Sequence, residues 1–301
     1  MHYHKPLLKW VGGKTQIIEQ IANLIPRQIQ HYHEPFVGGG SVLLAVLTLA
    51  QRGVVQINGT VYASDANKSL IDVYKHVQSD KDDLYRIISE TITVYDSIEG
   101  DVVNRNPPTY EIAITSKESF YYWIRKQFNH EPFGTVRKSA LFLVLNKTCF
   151  RGLYREGPNG FNVPYGHYKK TPTILTMEHL NTVHNLIQNV VFIHQDFTHA
   201  ISKVDKGDFI YLDPPYAPEN ATSFVGYTKT GFSKENHETL FEQIAQLKTK
   251  NMAFLLSNAK VDMVMEFFRE YETIEVNARR AIHAKNPEST TTELLIYSQY
   301  R

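Results

Sequence analysis

The sequence predicts an α/β fold with a mostly parallel, buried sheet. Two observations carry this expectation: short apolar runs alternate with helical stretches, and four of the runs end on glycine-rich or acidic turns. Residues 15–29, TQIIEQIANLIPRQI, place Ile17, Ile18, Ile21, Leu24 and Ile25 at helical spacing, and Pro26 limits that helix. HYHEPF (31–36) reads as a short strand running into VGGGS and then a helix through VLLAVLTLA. VYASD (61–65) is a second strand, with a helix from Asn67. The middle, roughly residues 72–185, reads as mostly helical, with loop-like stretches at 105–119 and 155–172. Strands return at 190–196, 208–216 and 252–257, with a helix near 235–250, and two more follow at 272–276 and 293–300. The middle is thus an insertion between two halves of one sheet domain.

The 301 residues suffice for a sizeable core, and 42% hydrophobic with 12% aromatic content is that of a globular chain. The longest apolar runs, such as ALFLVL (140–145), are too short to cross a bilayer, and MHYHKPLLKW lacks the pattern of a secretory signal. A single cysteine, Cys149, excludes an internal disulfide and fits a reducing compartment. The expectation is a soluble, intracellular protein, monomeric by default and with no obligate protein partner.

A net charge of +1 conceals an asymmetry. Residues 117–170 hold ten Lys or Arg against three Glu, a local +7, while the rest of the chain sums to −6. Basic residues mixed with Tyr, Phe and Asn suit a polyanion surface; a solvated helical face accounts for the charge equally well.

Four stretches carry chemistry. KWVGGKTQ (9–16) invites a phosphate-loop reading, but the glycine that loop needs five positions before Gly13 is Leu8. EPFVGGGS (34–41) opens a helix with three glycines, so backbone N–H groups can face a small molecule. Asp65 closes the next strand about 25 residues on, where an acid commonly receives ribose hydroxyls. The glycines do not follow G-x-G-x-x-G, so the nucleoside need not be NAD. Asp196 and Asp213 close two later strands. In DPPY (213–216) two prolines remove both N–H donors, leaving the Asp213 carboxylate and main-chain carbonyls as acceptors beside the flat face of Tyr216. Acceptors plus a ring suit an exocyclic amine on a planar base. The histidine pairs His2/His4 and His31/His33 have no third ligand at a persuasive spacing, so no metal is expected.

KWVGGK, EPFVGGGS, Asp65, QDF (195–197) and LDPPY, in this order, resemble the Dam-type (D12 class, alpha group) DNA adenine-N6 methyltransferases, and GLYREGPNGFNVPYGHYKK (152–170) is similar to that family's target-recognition segment. The resemblance implies a Rossmann-like S-adenosylmethionine-dependent methyltransferase fold, with a mixed, mostly parallel seven-stranded sheet. Residues 1–71 and 186–301 would form the catalytic domain and 72–185 a mostly helical target-recognition insertion. It further implies S-adenosylmethionine as cofactor, held by Trp10, Lys14, Phe36, Gly38–Gly40, Asp65, Asp196, Phe197 and Asp213, with Lys14 at its carboxylate. Asp213 and the carbonyl of Pro214, in the turn shaped with Pro215, would accept hydrogen bonds from the target N6 amine, with Tyr216 stacked on the flipped base of double-stranded DNA.

On the same resemblance Arg155 would read guanine through O6 and N7. Lys9, Arg151, Asn162, Pro164, Tyr165 and Tyr168 would lie beside it at the DNA, and Lys169 and Lys170 would meet phosphates. Relatives with this segment often act on GATC. Here Arg151 and Glu156 depart from the usual asparagine and neutral or aromatic residue, so the implied site is GATC or a related short palindrome. Two other acceptors of the same methyl group, cytosine N4 and a protein amide, usually go with serine or asparagine at position 213; RNA is a further alternative. A catalytically silent DNA-binding module would not need Lys14, Asp213 and Tyr216. Cys149 lacks the proline-cysteine context of a cytosine-C5 nucleophile and reads as a packed residue.

Overall fold

The computed structural model describes residues 3–168, 170–217, 232–279 and 290–299. The expectations placed on His2 and Lys169 lie outside them. Contacts divide the chain into two compact units, one of Met1–Pro6, Gly12–Ala66 and Asn189–Arg301, the other of Leu7–Val11 and Asn67–Gln188. Expectation drew the boundaries at 71/72 and 185/186 and kept the whole N-terminus with the sheet. Leu7–Val11 instead joins the second unit. There the buried Asn146 accepts the Lys9 N–H at 2.8 Å and donates back to the Lys9 carbonyl at 2.7 Å.

The first unit is built on seven strands: β1 (Tyr32–Glu34), β2 (Val61–Asp65), β3 (Val190–His194), β4 (Phe209–Leu212), β5 (Ala253–Ala259), β6 (Glu272–Arg279) and β7 (Thr290–Ser298). Their order is β6-β7-β5-β4-β1-β2-β3, parallel throughout except for β7, which runs against both neighbours. This is the mixed, mostly parallel seven-stranded sheet expected. β4 is buried along its whole length and β5 at six of seven positions, as strands covered on both faces must be. Leu240, Phe241, Ile244 and Leu247 of a helix at Lys234–Thr249 pack on Ile210, Leu212, Phe254 and Leu256. Each such side chain contributes about 1.5–3 kcal/mol of burial.

Chain order reverses between β1 and β4: β1 pairs with β2 on one side and with β4 on the other. The carboxyl ends of these two strands are therefore the topological switch point, the place where open α/β sheets receive ligands. The helix that Pro26 was expected to limit is α1 (Ile18–Leu24). Pro26 forces Ile25 out of the helical region to ψ 128°, and Gln28–Ile29 then pairs with Gln56–Ile57. The helix after the glycine turn is α2 (Ser41–Gln51).

The second unit is helical: α3 (Lys68–Ser79), α4 (Lys81–Ser97), α5 (Lys117–His130), α6 (Val136–Thr148) and α7 (Met177–Ile187). Asn67, Ser116, Thr135 and Thr176 cap four of these, each accepting a backbone N–H of the first turn. α6 is buried on nearly every side, which makes it the unit's central helix. Within the stretch read as loop, Glu156–Gly157 pairs with Gly160–Phe161 in a small hairpin. Among the described residues no helix is long and apolar enough to cross a membrane.

Candidate active site

The turn after β1 is shaped by glycine. Gly38 (φ 48°) and Gly40 (φ 75°) take left-handed backbone that a side chain would strain, and Gly40 opens α2. The Gly38 N–H donates to the Asp65 carboxylate at 3.1 Å, joining the turn to the end of β2. Phe36 stacks on Phe197 with ring centroids 5.4 Å apart, which brings the turn to the segment after β3. Beside it, Asp196 caps a short helix by accepting the Thr198 N–H at 2.9 Å. Phe36, Gly38, Asp65 and Phe197, called from separate motifs, thus meet in one place.

The turn after β4 carries the charge. Lys14 is 2% exposed, and its ammonium donates to the Gly12 carbonyl and pairs with Asp213 at 2.8 Å. The same ammonium lies 4.8 Å from the centroid of the Tyr216 ring. Its backbone N–H donates to Ser41 Oγ at 3.1 Å, so Lys14 also ties down the start of α2. Asp213 is pushed up to about 6 because burial outweighs the neighbouring Lys14 ammonium, with Glu293 adding to the rise. Ala217 N–H donates to the buried Asn258 of β5 at 3.2 Å, which anchors the far end of the turn.

Two acids here carry no role in the sequence reading. Glu34, 2% exposed at the end of β1, receives the Tyr32 hydroxyl at 2.6 Å. Burial pushes it up to about 8, against the Tyr32 hydroxyl and the Leu43 N–H, and the nearby Asp213 adds to the rise. Glu293 on β7 accepts the Tyr216 hydroxyl at 2.6 Å. The local signals were slight: Glu34 is the last residue of its strand, and Glu293 directly precedes the apolar run Leu294–Ile296. Trp10 lies in the second unit, stacked on Tyr154 at 5.6 Å.

A family model describing D12 class N6 adenine-specific DNA methyltransferases matches residues 10–282. The chain belongs to that family. Among curated relatives, the type II methyltransferase M.MjaIII of Methanocaldococcus jannaschii is 36% identical over 93% of each chain. The DNA adenine methylase of Haemophilus influenzae is 31% identical over 95% of this chain and 90% of its own. The type II methyltransferase M1.LlaDCHI of Lactococcus lactis is 28% identical over 98% and 95%. The protein is therefore an adenine-specific DNA methyltransferase, with a methyl donor and DNA as its reactants.

The methyltransferase's second unit displays most of the expected DNA residues. Arg155 is exposed, with Nε donating to Asn162 Oδ1 at 2.7 Å, and Pro164 is exposed while its carbonyl receives the Phe150 N–H. Arg151 sits at φ 57° with its guanidinium 5.2 Å from the exposed Phe150 ring. Lys9 lies 5.3 Å over the ring of Tyr168, whose hydroxyl donates to the Cys149 carbonyl at 3.0 Å. Tyr165 departs from expectation. It is 7% exposed and hydrogen-bonds Tyr95 through its hydroxyl, so it supports the segment from within. Nor is the basic excess all surface: Lys138 is 5% exposed and donates to the carbonyls of Phe128 and Glu131. Cys149 is buried, its thiol pushed up to about 12 by burial, which removes it as a thiolate nucleophile. His31 accepts the Thr60 N–H and His33 meets Asp208 at 3.0 Å; both serve local structure.

Proposed function

We propose that this methyltransferase takes its methyl group from S-adenosylmethionine and places it on N6 of an adenine turned out of duplex DNA, at GATC or a related short palindrome. The observation that carries the reading is the Asp213–Lys14 pair beside Tyr216, in a proline-flanked turn at the topological switch point. The glycine turn fits the donor: left-handed Gly38 and Gly40 leave backbone open to close approach, Asp65 offers acceptors for ribose hydroxyls, and Phe36 with Phe197 forms an aromatic wall. Bound there, the donor supplies a sulfonium-activated methyl group.

Adenine N6 is a poor nucleophile because its lone pair is delocalised into the ring. The Asp213 carboxylate and the Pro214 carbonyl accept hydrogen bonds from its two N–H groups and favour a pyramidal nitrogen whose lone pair is free to attack. Pro214 and Pro215 keep N–H donors out of that corner. Ionised Asp213 sits where positive charge develops on nitrogen, and alignment of the reactants supplies much of the rest of the rate. Tyr216 stacks on the extruded base, which offsets part of the few kcal/mol that leaving the duplex costs. Arg155 reads guanine, with Lys9, Arg151, Asn162, Pro164 and Tyr168 beside it. The test is methylation of unmethylated genomic DNA by the purified protein, with an Asp213→Ala control and single-molecule sequencing. N6-methyladenine confined to one short motif, and absent from the control, is the expected result. Tight donor binding with no mark on duplex DNA would sink the proposal.

A further inference from the structure

Glu293 occupies an unusual position for an acid. It lies on β7, in register with Ala259 of β5 on one side and Val276 of β6 on the other, and it is 8% exposed. Leu294, Leu295 and Ile296, which follow it, are buried. A carboxylate in such a place costs several kcal/mol unless it is compensated. Among the described residues its side-chain hydrogen-bond donor is the Tyr216 hydroxyl, at 2.6 Å and 77 positions away in the chain. The Tyr216 backbone is held by two prolines before it and by the Ala217 N–H on Asn258 after it. The ring could still swing about its χ angles. The hydroxyl tether removes that freedom, and the Lys14 ammonium, 4.8 Å from the ring centroid, sets a second restraint.

We propose that Glu293 is a positioning residue for the methyl transfer: by holding the Tyr216 hydroxyl it fixes the plane of the ring against which the target base stacks. This rests on the reading of Tyr216 as the stacking platform. A side chain held in its working rotamer by a supporting hydrogen bond loses less freedom when the base arrives, so the gain falls on the reacting complex. Glutamine keeps an acceptor oxygen and removes the charge, which separates tethering from an electrostatic effect on Asp213.

The experiment compares Glu293→Ala, Glu293→Gln, Tyr216→Phe and the double variant Glu293→Ala/Tyr216→Phe. The substrate is a duplex carrying the site identified by sequencing, with 2-aminopurine at the target position for the binding arm. Glu293→Ala and Tyr216→Phe are each expected to lower kcat about tenfold, with KM for DNA within about twofold. The double variant should be no slower than either single one, because both remove the same hydrogen bond. Glu293→Gln should stay within about twofold of wild type. Both impaired single variants should give a brighter 2-aminopurine signal, from a base that is extruded but poorly stacked. Multiplicative losses in the double variant, or Glu293→Gln as slow as Glu293→Ala, would overturn the assignment. If Glu293→Ala loses its cooperative melt, Glu293→Asp takes its place; its shorter carboxylate keeps the charge but falls short of the hydroxyl, and the same equality with Tyr216→Phe is required. A wild type that leaves duplex DNA unmodified refutes the underlying reading as well. An active wild type with no coupling between the two positions refutes only the positioning role.

Discussion

Replacing Lys14 by methionine removes the cation that holds Asp213 ionised while keeping a long apolar stem in place. At 2.8 Å, with Lys14 2% and Asp213 18% exposed at their side chains, the pair is shielded from water. Coulomb's law at that distance, with an effective dielectric near 20, bounds the attraction at about 6 kcal/mol. Breaking a buried pair by removing one partner typically costs about 3–5 kcal/mol. Asp213 can avoid part of that by taking up a proton. An opposite charge at contact shifts a carboxyl by about 1–3 pH units, and two units correspond to about 2.7 kcal/mol. Asp213 starts at about 6, so in the variant its titration should move to about 8. At pH 7 the ionised fraction then falls from about 90% to about 10%, a roughly ninefold loss of rate that is recovered at pH 9. The assay is the initial rate of methyl transfer from pH 5.5 to 9.5 at saturating donor and DNA, for wild type and Lys14→Met. Wild type should lose activity as the pH falls through about 6, since a protonated Asp213 accepts poorly. A variant that is slowed equally at every pH, with the acid limb unmoved and KM for the donor raised, would refute the reasoning and assign Lys14 to the donor instead.

Three further outcomes are expected. Glu34 is raised from 4.5 to about 8, so between these values the folded chain holds a proton that the unfolded chain has released. Its contribution to stability therefore falls as pH rises through that window and is constant above it. Glu34→Gln should gain thermal stability relative to wild type from pH 5 to 8, and a pH-independent difference between the two melts would contradict this. Arg155→Ala should lose about 1–3 kcal/mol of discrimination at one guanine and relax the methylated motif there. Lys170→Ala should instead weaken binding on every sequence and flatten the salt dependence by about one unit of slope. Sequencing the marks left by Arg155→Ala decides the first point, and an unchanged motif would remove Arg155 from base reading.

Element type and order, the sheet and the family were legible because they depend on local patterns. Apolar runs mark strands buried on both faces, glycines mark turns of positive φ, and Pro26 marks a helix end; each is written within a few residues of where it acts. β2 spans Val61–Asp65 as read, and the helix near 235–250 spans Lys234–Thr249. Pro26 ends α1 where the sequence sets the limit, with Ile25 already in extended backbone. Tertiary structure alone decided what the charged side chains meet. Lys14 and Asp213 are 199 positions apart and Tyr216 and Glu293 are 77 apart, and no short window of sequence records such pairings. It also decided the partners of neighbouring residues in one motif: Trp10 stacks on Tyr154, while Lys14, four residues later, is buried against Asp213. Burial gives the physical reason. An acid has the same residue type on a solvated loop and at a dry strand end, but only packing sets its desolvation and its partner, and these make Glu34, Asp213 and Glu293 chemically distinct.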